Sequence, residues 1–212
     1  MSDENFNRLM ESAFLHRFPK NSNLVTEGDE ADFLYVLLDG IVELFSCHGT
    51  HRTTLHIIRP IATFTLPAVF HEGTYLSSAR ALGASDILMI PAQTVRQMLR
   101  AATAFADSIV HELAERYCGT LKALKSVKLR DGIERLANWI LRTNKYQGQR
   151  NHIELTFDNR TLASRLGMTP ENLSRSFAIL MKHGVRKEGR TIMIEDPSAL
   201  MLIANPSSLI DG

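Results

Sequence analysis

Short apolar runs alternate with turn-forming residues between about positions 18 and 90. These runs are Leu34–Leu38, Ile41–Phe45, Leu55–Ile58 and Ile87–Ile90. Asp39-Gly40 separates the first two runs, and because both residues tolerate positive φ the pair predicts a hairpin. Many short strands at regular spacing are typical of an antiparallel barrel or jelly roll. The first part of the chain is therefore expected to be an antiparallel β domain.

Helical periodicity replaces this pattern outside the strand-rich region. Short helices are expected over 4–15 and 92–100, and a long one over 103–128. Side chains of the long segment recur at spacings of four and three. They are Ala106, Val110, Leu113, Tyr117, Thr120, Leu124 and Val127. This heptad seam predicts pairing with another helix, with packing against the chain's own barrel as the alternative.

The segment after residue 130 alternates helix and strand signals. Asp131-Gly132 offers a break, and the next helix, 133–143, is expected to bury Leu136, Trp139 and Ile140. Residues 152–156 alternate like a strand. Residues 185–194 form a second hairpin pattern that turns at Glu188-Gly189.

Residues 162–180 predict two helices joined by a tight turn. Gly167 ends the first helix, because glycine accepts the left-handed conformation of a helix end. Thr169 is a candidate N-cap and Pro170 suits the first helical position. The apolar positions of the second helix are expected to face the core; they are Leu173, Phe177, Leu180 and Met181.

Three polar residues remain on the outward face near the start of that second helix. They are Glu171, Ser174 and Arg175. In a helix-turn-helix protein this is the part of the recognition helix that meets base edges in the major groove. Helix pairs joined at a glycine also occur in proteins that never bind DNA, so the surrounding charge matters.

Charge separates the two halves of the chain. The 212 residues carry a net charge of +1, and hydrophobic residues make up 44%, enough for a sizeable core. Residues 1–129 contain 12 Lys and Arg against 14 Asp and Glu, whereas residues 130–190 contain 12 against 6. The net +6 around the helix-turn-helix is what neutralisation of DNA phosphates requires.

Other classes of protein find little support in the sequence. No apolar run approaches the roughly 18 residues of a membrane span. Two cysteines, Cys47 and Cys118, and an acidic N-terminus without a signal pattern suit the cytoplasm. Cys118 is expected to be a buried, inert thiol. There is no phosphate-binding glycine loop, metal dyad or nucleophile elbow, so no enzyme is expected.

Three stretches resemble the Crp/Fnr superfamily of bacterial transcription regulators. Residues 18–29 resemble its first strands, and residues 33–44 its next hairpin, with an aromatic-rich strand, a glycine turn and a Val-rich return. The pattern Glu171-x-x-Ser174-Arg175 resembles the recognition helix of the Fnr-like branch. The resemblance implies that these three residues contact bases, which agrees with their chemistry, since arginine pairs with guanine and glutamate with cytosine.

The resemblance implies an α+β architecture in three parts. These are an N-terminal jelly-roll barrel like a cyclic-nucleotide-binding domain over 1–102, a dimerisation helix over 103–129 and a winged helix-turn-helix over 130–212. The expected dimer contacts are Val110, Leu113, Tyr117, Leu124 and Val127, and the expected phosphate contacts are Thr169, Arg160, Lys187 and Arg190.

The implied partners are a second copy of the chain, a palindromic DNA site, a small-molecule effector and RNA polymerase, with no membrane. Signalling is expected to change how the long helices and a hinge at 129–132 orient two recognition helices.

The cyclic-nucleotide pattern of the family fails in this sequence. Binding members carry a Gly-Glu-Leu stretch whose glutamate holds the ribose, and an arginine that pairs with the phosphate. Here Thr65-Leu66 replaces Gly-Glu, and Tyr75 or Leu76 replaces the arginine. Burying a cyclic phosphate there would leave its charge unpaired. Cyclic AMP is therefore not the expected effector, although Arg80 or Arg59 could supply a cation from elsewhere.

Other cofactors differ in how well the sequence suits them. An iron–sulfur cluster normally needs four cysteines. Haem is compatible with His71 in the effector loop, or with His111 and Cys118 on the long helix. The candidate effector pocket consists of Thr65, Leu66, His71, Tyr75 and Leu76. Two alternatives stay open: a ligand-, haem- or redox-sensing barrel with a degenerate DNA-binding domain, and an enzyme with a cupin-like metal site.

Overall fold

A computed structural model describes residues 2–71 and 73–211. The chain divides into two compact units, with the boundary between Arg116 and Tyr117. This boundary lies inside the long helix, which the sequence sets apart as a segment of its own over 103–129. The first part of that helix thus belongs to the barrel unit, and the second part to the unit that contains the predicted helix-turn-helix, which is called the DNA-binding unit after that prediction.

The barrel unit contains helices before and after a set of strands. Its helices are α1 (Asp3–Glu11), α2 (Leu66–Phe70), α3 (Ala92–Ala101) and the start of α4 (Thr103–Leu129). Its strands are β1 (Phe14–Phe18), β2 (Asn23–Val25), β3 (Phe33–Asp39), β4 (Val42–His48), β5 (His51–Ile58), β6 (Ala62–Phe64), β7 (Ser78–Ala81) and β8 (Ser85–Pro91).

The described strands of this unit form two four-stranded antiparallel sheets. The strand orders are β1-β8-β3-β6 and β2-β7-β4-β5. This is the jelly-roll class of fold that the sequence predicts, with side chains from both sheets meeting in one core. Val25, Leu37, Val42, Phe64 and Ile87 are among the buried residues of that core.

The hairpin predicted at Asp39-Gly40 is wrong. β3 and β4 belong to different sheets, so this turn carries the chain from one sheet to the other. Gly40 has φ +98°, and a Cβ there would lie 2.3 Å from the Ser85 side-chain oxygen and 2.6 Å from the backbone oxygen of Ala84. Glycine is therefore required here because the crossover packs against the residues at the start of β8. These residues are far away in the sequence, so the local sequence does not reveal the contact.

The predicted helix over 4–15 is too long. α1 ends at Glu11, and Phe14 and Leu15 lie in β1, paired with Met89 and Leu88. Ser12 is the C-cap of α1, and the N–H of the next residue, Ala13, donates to the Met10 carbonyl at 3.0 Å. Pairing with β8 supplies hydrogen-bond partners for the backbone groups of residues 14–18. These groups therefore do not need the internal hydrogen bonds of a longer helix.

The DNA-binding unit contains the rest of α4 and a mixed set of elements. These are α5 (Gly132–Tyr146), β9 (His152–Glu154), α6 (Asn159–Arg165), α7 (Pro170–Met181), β10 (Val185–Glu188), β11 (Thr191–Ile194), α8 (Pro197–Ala204) and α9 (Ser208–Asp211). β10 and β11 form the predicted wing hairpin, and β9 joins β11 to complete a three-stranded sheet among the described strands.

The core of this unit follows the predicted helix faces. Leu136 and Ile140 of α5 are fully buried, and the Trp139 ring packs 6.3 Å from that of Phe157. Leu173, Phe177 and Leu180 of α7 are buried as well, as their spacing predicts. Met181 was expected among them, but its side chain is 58% exposed at the last position of the helix.

Candidate DNA interface and sensor barrel

Local sequence sets the turn between α6 and α7. Asp158 caps α6, its carboxylate accepting from the Thr161 N–H at 2.8 Å. Gly167 ends the helix with φ +63°. Thr169 then caps α7, its side-chain oxygen accepting from the Asn172 N–H at 3.2 Å, and Pro170 occupies the first turn. Each cap stabilises a helix end by about 1 kcal/mol, so the geometry of the turn is encoded locally.

The exposed face of α7 carries the residues expected to contact bases. Glu171, Ser174 and Arg175 are all exposed, whereas Leu173 and Phe177 on the opposite face are buried. Asn172 shares the exposed face, and its side-chain oxygen accepts from the Arg175 guanidinium at 2.8 Å. Sequence reasoning missed Asn172, although its position three residues before Arg175 places both on one helix face.

Glu171 remains ionised on this face. Hydrogen bonds from its own backbone N–H and from the Thr169 side chain lower its pKa, and the charge of Arg175 acts in the same direction. A carboxylate only accepts hydrogen bonds, so it suits the amino group of cytosine. The Arg175 fork suits the two acceptors of guanine. The face therefore offers an acceptor and a bidentate donor to base edges.

The expected phosphate contacts are distributed over several elements. Arg160 is exposed in α6, Thr169 precedes α7, and Arg190 is exposed in the wing turn between β10 and β11. Lys187 of the wing is half-buried: its ammonium donates to the Gly189 carbonyl at 2.7 Å and lies 5.8 Å from the Phe177 ring centroid. This bond helps to hold the wing turn and leaves Lys187 less available to a phosphate than an exposed cation would be.

The expected dimerisation seam of α4 divides into exposed and half-buried members. Val110, Tyr117 and Leu124, spaced seven residues apart, are 66%, 70% and 49% exposed. Leu113 is half-buried against the core of the barrel unit. Val127 is exposed, with its methyl groups directed at Gly167, where a Cβ would lie 3.8 Å away. The structure adds Leu121, 41% exposed, to the apolar residues of this helix.

Aromatic side chains fill the interior of the barrel. The Tyr35 ring stacks on Phe64 at a centroid distance of 5.3 Å and meets Tyr75 at 6.3 Å. The Tyr75 hydroxyl donates to the Phe33 carbonyl and accepts from the Phe33 N–H, both at 3.2 Å. Burial raises the pKa of both tyrosines, so both stay neutral. Tyr75, one of the two residues expected in place of the phosphate-binding arginine, is thus a core residue.

The other residues expected to form an effector pocket do not come together. Leu66 is fully buried, but in the core cluster of α1 and α3 rather than the one that holds Tyr75. Leu76 is 74% exposed, and His71 is exposed as well. Thr65 has φ +70° at the start of α2 and donates to the Phe33 carbonyl. The expected pocket is therefore not a single site in this structure.

Arg80, the alternative phosphate partner, is already paired. Its guanidinium contacts the Glu43 carboxylate at 2.7 Å, and Arg52 contacts the same oxygen at 2.8 Å. The other Glu43 oxygen accepts from the Thr54 hydroxyl at 2.6 Å. The Glu43 side chain is 2% exposed, so removing either arginine would leave a buried charge less compensated. Sequence reasoning missed this cluster because cross-strand register creates it.

The thiol and imidazole groups considered for haem or redox chemistry lie at the surface. Cys118 is exposed, contrary to the expected buried setting, and so is His111 on the same helix. Residues 2–71 and 73–211 contain no group of three or more His, Cys, Asp or Glu placed to hold a metal ion. Within the same residues, no helix has the length and apolarity needed to cross a membrane.

Two family models match the chain in the order of its two units. A cyclic nucleotide-binding domain matches residues 15–102, and a Crp-like helix-turn-helix domain matches residues 134–203. The chain belongs to the Crp/Fnr family. It combines the sensor-type barrel and the DNA-binding domain of these transcription regulators, with α4 lying between the two matched segments.

Individual relatives agree with this assignment. A CRP-like cAMP-activated global transcriptional regulator of Mycobacterium tuberculosis is 23% identical over 189 residues, covering 86% of this chain and 84% of that protein. FixK2 of Bradyrhizobium japonicum has a TM-score of 0.81 at 16% identity, covering 92% of this chain and 99% of that one. A regulator of the Crp/Fnr family from Eubacterium rectale has a TM-score of 0.79 at 15% identity, covering 97% and 96%. The structural matches show a shared fold.

Proposed function

We propose that this Crp/Fnr-family chain is a sequence-specific DNA-binding regulator that acts as a homodimer on a palindromic site. The observation that carries the proposal is the exposed trio on α7, with an ionised Glu171 and a fork-shaped Arg175 beside Ser174. The net charge of +6 over residues 130–190 supplies the non-specific attraction to phosphates.

Homodimer formation is supported by the apolar side chains of α4. Val110, Tyr117, Leu121 and Leu124 would remain largely in water in a monomer. Their spacing of three, four and seven residues suits helix pairing, and a two-fold pair would present two recognition helices about one DNA turn apart. The expected consequence is a target with two half-sites related by symmetry.

The effector is proposed not to be cyclic AMP. Tyr75 is a buried core residue, Arg80 is paired with Glu43, and Thr65-Leu66 offers no carboxylate for a ribose. A charged cyclic phosphate would need a cation to pair with it, and Arg80 already compensates the buried carboxylate of Glu43. An effector of lower charge is proposed instead, with haem as the alternative, and RNA polymerase is the proposed partner in transcription.

Selection of DNA from a random-sequence library by the purified protein tests the main proposal. A regulator of this kind enriches a palindrome and prefers it over random DNA by a factor of about 10³ or more at fixed salt. Enrichment of no common sequence, with binding that depends only on salt, would favour the alternative of a sensing barrel with a degenerate DNA-binding domain.

A further inference from the structure

The junction between α4 and α5 is held by a buried ion pair. Arg130 and Asp211 meet through both ends of the guanidinium and the carboxylate, with one contact at 2.8 Å. Their side chains are 6% and 11% exposed. Burial opposes ionisation of Asp211, but hydrogen bonds from Arg130 and from the Ser207 N–H prevail and lower its pKa. The pair thus connects α9 to the residue that follows α4.

Arg135 ties the same junction to the helix-turn-helix. Its guanidinium donates to the carbonyl of Arg130 and, at 2.8 Å, to that of Leu166, with a longer contact of 3.4 Å to Gly167. Val127 supplies a further carbonyl at 3.4 Å. These carbonyls end α4 and α6, where the helix dipoles are negative and favour a cation. One side chain therefore joins both helix ends.

The junction also lies directly against the recognition helix. A Cβ on Gly132 would be 3.4 Å from the Met168 methyl carbon and 3.7 Å from the Ser176 side-chain oxygen. Met168 precedes the Thr169 cap, and Ser176 lies in α7. A displacement of the junction would therefore press on Met168 and Ser176, the residues next to the start of α7 and within it.

Helices α8 and α9 hold Asp211 in place. The Asn138 side-chain amide donates to the Ala204 carbonyl, and Ile210 is buried. The Crp-like domain model ends at residue 203, so α9 and the Arg130–Asp211 pair lie outside the matched segment.

We propose that Arg135 and Asp211 are positioning residues for DNA recognition. They fix residues 129–132 as part of the DNA-binding unit, so this segment does not act as a free hinge. Asp211 binds Arg130, and Arg135 connects the Arg130 carbonyl to the carbonyls of Leu166 and Gly167. Thr169, which caps the start of α7, lies two residues after Gly167 in the chain. Neither residue needs to touch DNA to affect affinity. The inference rests on the proposed DNA-binding function.

The test compares full-length variants that change charge while preserving shape. Asp211→Asn keeps the size of the side chain but replaces one acceptor with a donor facing Arg130. Arg135→Lys keeps the charge but cannot reach carbonyls on two helices with a planar fork. Asp29→Asn, at an exposed position of the barrel unit, is the matched control. Asp211→Glu retains the carboxylate and tests rescue.

Fluorescence anisotropy on the palindrome selected by the wild type gives the first readout. Asp211→Asn and Arg135→Lys are expected to weaken binding about tenfold. This is the loss expected if about one molecule in ten keeps the arrangement that binds DNA, because the apparent Kd rises as that fraction falls. Binding to random DNA and the salt slope should not change, because phosphate contacts are untouched. Asp211→Glu should lie closer to the wild type, and Asp29→Asn should match it.

Amide hydrogen exchange gives a second readout that needs no DNA. Both variants should exchange faster at residues 129–133 and 166–169, while the core amides of Leu136 to Ile140 keep their protection. The proposal is overturned if both variants exchange at the wild-type rate at the junction, or if they lose protection equally at the junction and in the core. It is also overturned if both variants bind the palindrome with wild-type affinity. If the wild type selects no palindrome, the proposed function fails, and the exchange result still decides whether the junction is coupled to the turn.

Discussion

Truncation of Arg175 to alanine is the sharpest test of the recognition helix. The side chain is exposed, it donates a hydrogen bond to the Asn172 side chain, and its charge helps to lower the pKa of Glu171. Such a pair three residues apart on a helix contributes about 0.2–0.5 kcal/mol. The variant should therefore fold like the wild type, and its main effect should appear in binding.

The expected loss follows from the bidentate contact with guanine. Each such pair contributes about 1–3 kcal/mol of discrimination. A dimer would lose two of them, so about 2–6 kcal/mol if the half-sites are independent. At about 1.4 kcal/mol per factor of ten, this is a loss of about 30-fold to about 20,000-fold. Asn172→Ala should cause a smaller loss, because the fork remains but its orienting acceptor is removed.

Anisotropy titrations at one fixed salt concentration measure the effect on the selected palindrome and on random DNA. Arg175→Ala should lose affinity for the palindrome and little for random DNA. Arg100→Ala, at an exposed arginine of the barrel unit, controls for loss of one positive charge. Equal losses on both DNAs, with a salt slope reduced by about 0.9 per phosphate, would instead make Arg175 a phosphate contact. Wild-type affinity for the palindrome would refute the assigned recognition face.

Three further predictions follow from the same structure. Leu124→Glu should place like charges in the helix contact and produce monomers by light scattering; a wild-type monomer at micromolar concentration would contradict the proposed dimer. Calorimetric titration with cyclic AMP should show weak or no binding, and micromolar affinity would mean that Arg80 leaves Glu43 to reach the phosphate or that Arg59 does. The Arg130–Asp211 pair should stabilise the fold above the ordinary aspartate pKa of 3.8, an effect lost as pH falls through the lower pKa of Asp211 in the folded protein. The unfolding free energies of wild type and Asp211→Asn should therefore differ near neutral pH and converge in acid; a constant gap would show that the charge of Asp211 is not responsible.

Much of the DNA-binding unit could be predicted from local sequence. The cap at Thr169, the left-handed Gly167 and the buried face of α7 need only residue type and helical spacing. The wing hairpin could be predicted too, because its strands are adjacent in the chain and pair with each other. Such features depend on residues a few positions apart, so the sequence by itself determined them.

Tertiary structure decided what depends on residues far apart in the chain. Asp39-Gly40 has the local signal of a hairpin, but the packing of two sheets makes it a crossover beside Ser85. Tyr75 and Leu66 lie close together in an effector-loop pattern, yet they are buried in different clusters. Nothing in the sequence around Asp211 indicates its partner, because Arg130 is 81 positions away and the two meet only in the folded chain. Long-range register, burial and ion pairing set these positions, because each depends on the free energy of contacts that exist only in the folded chain.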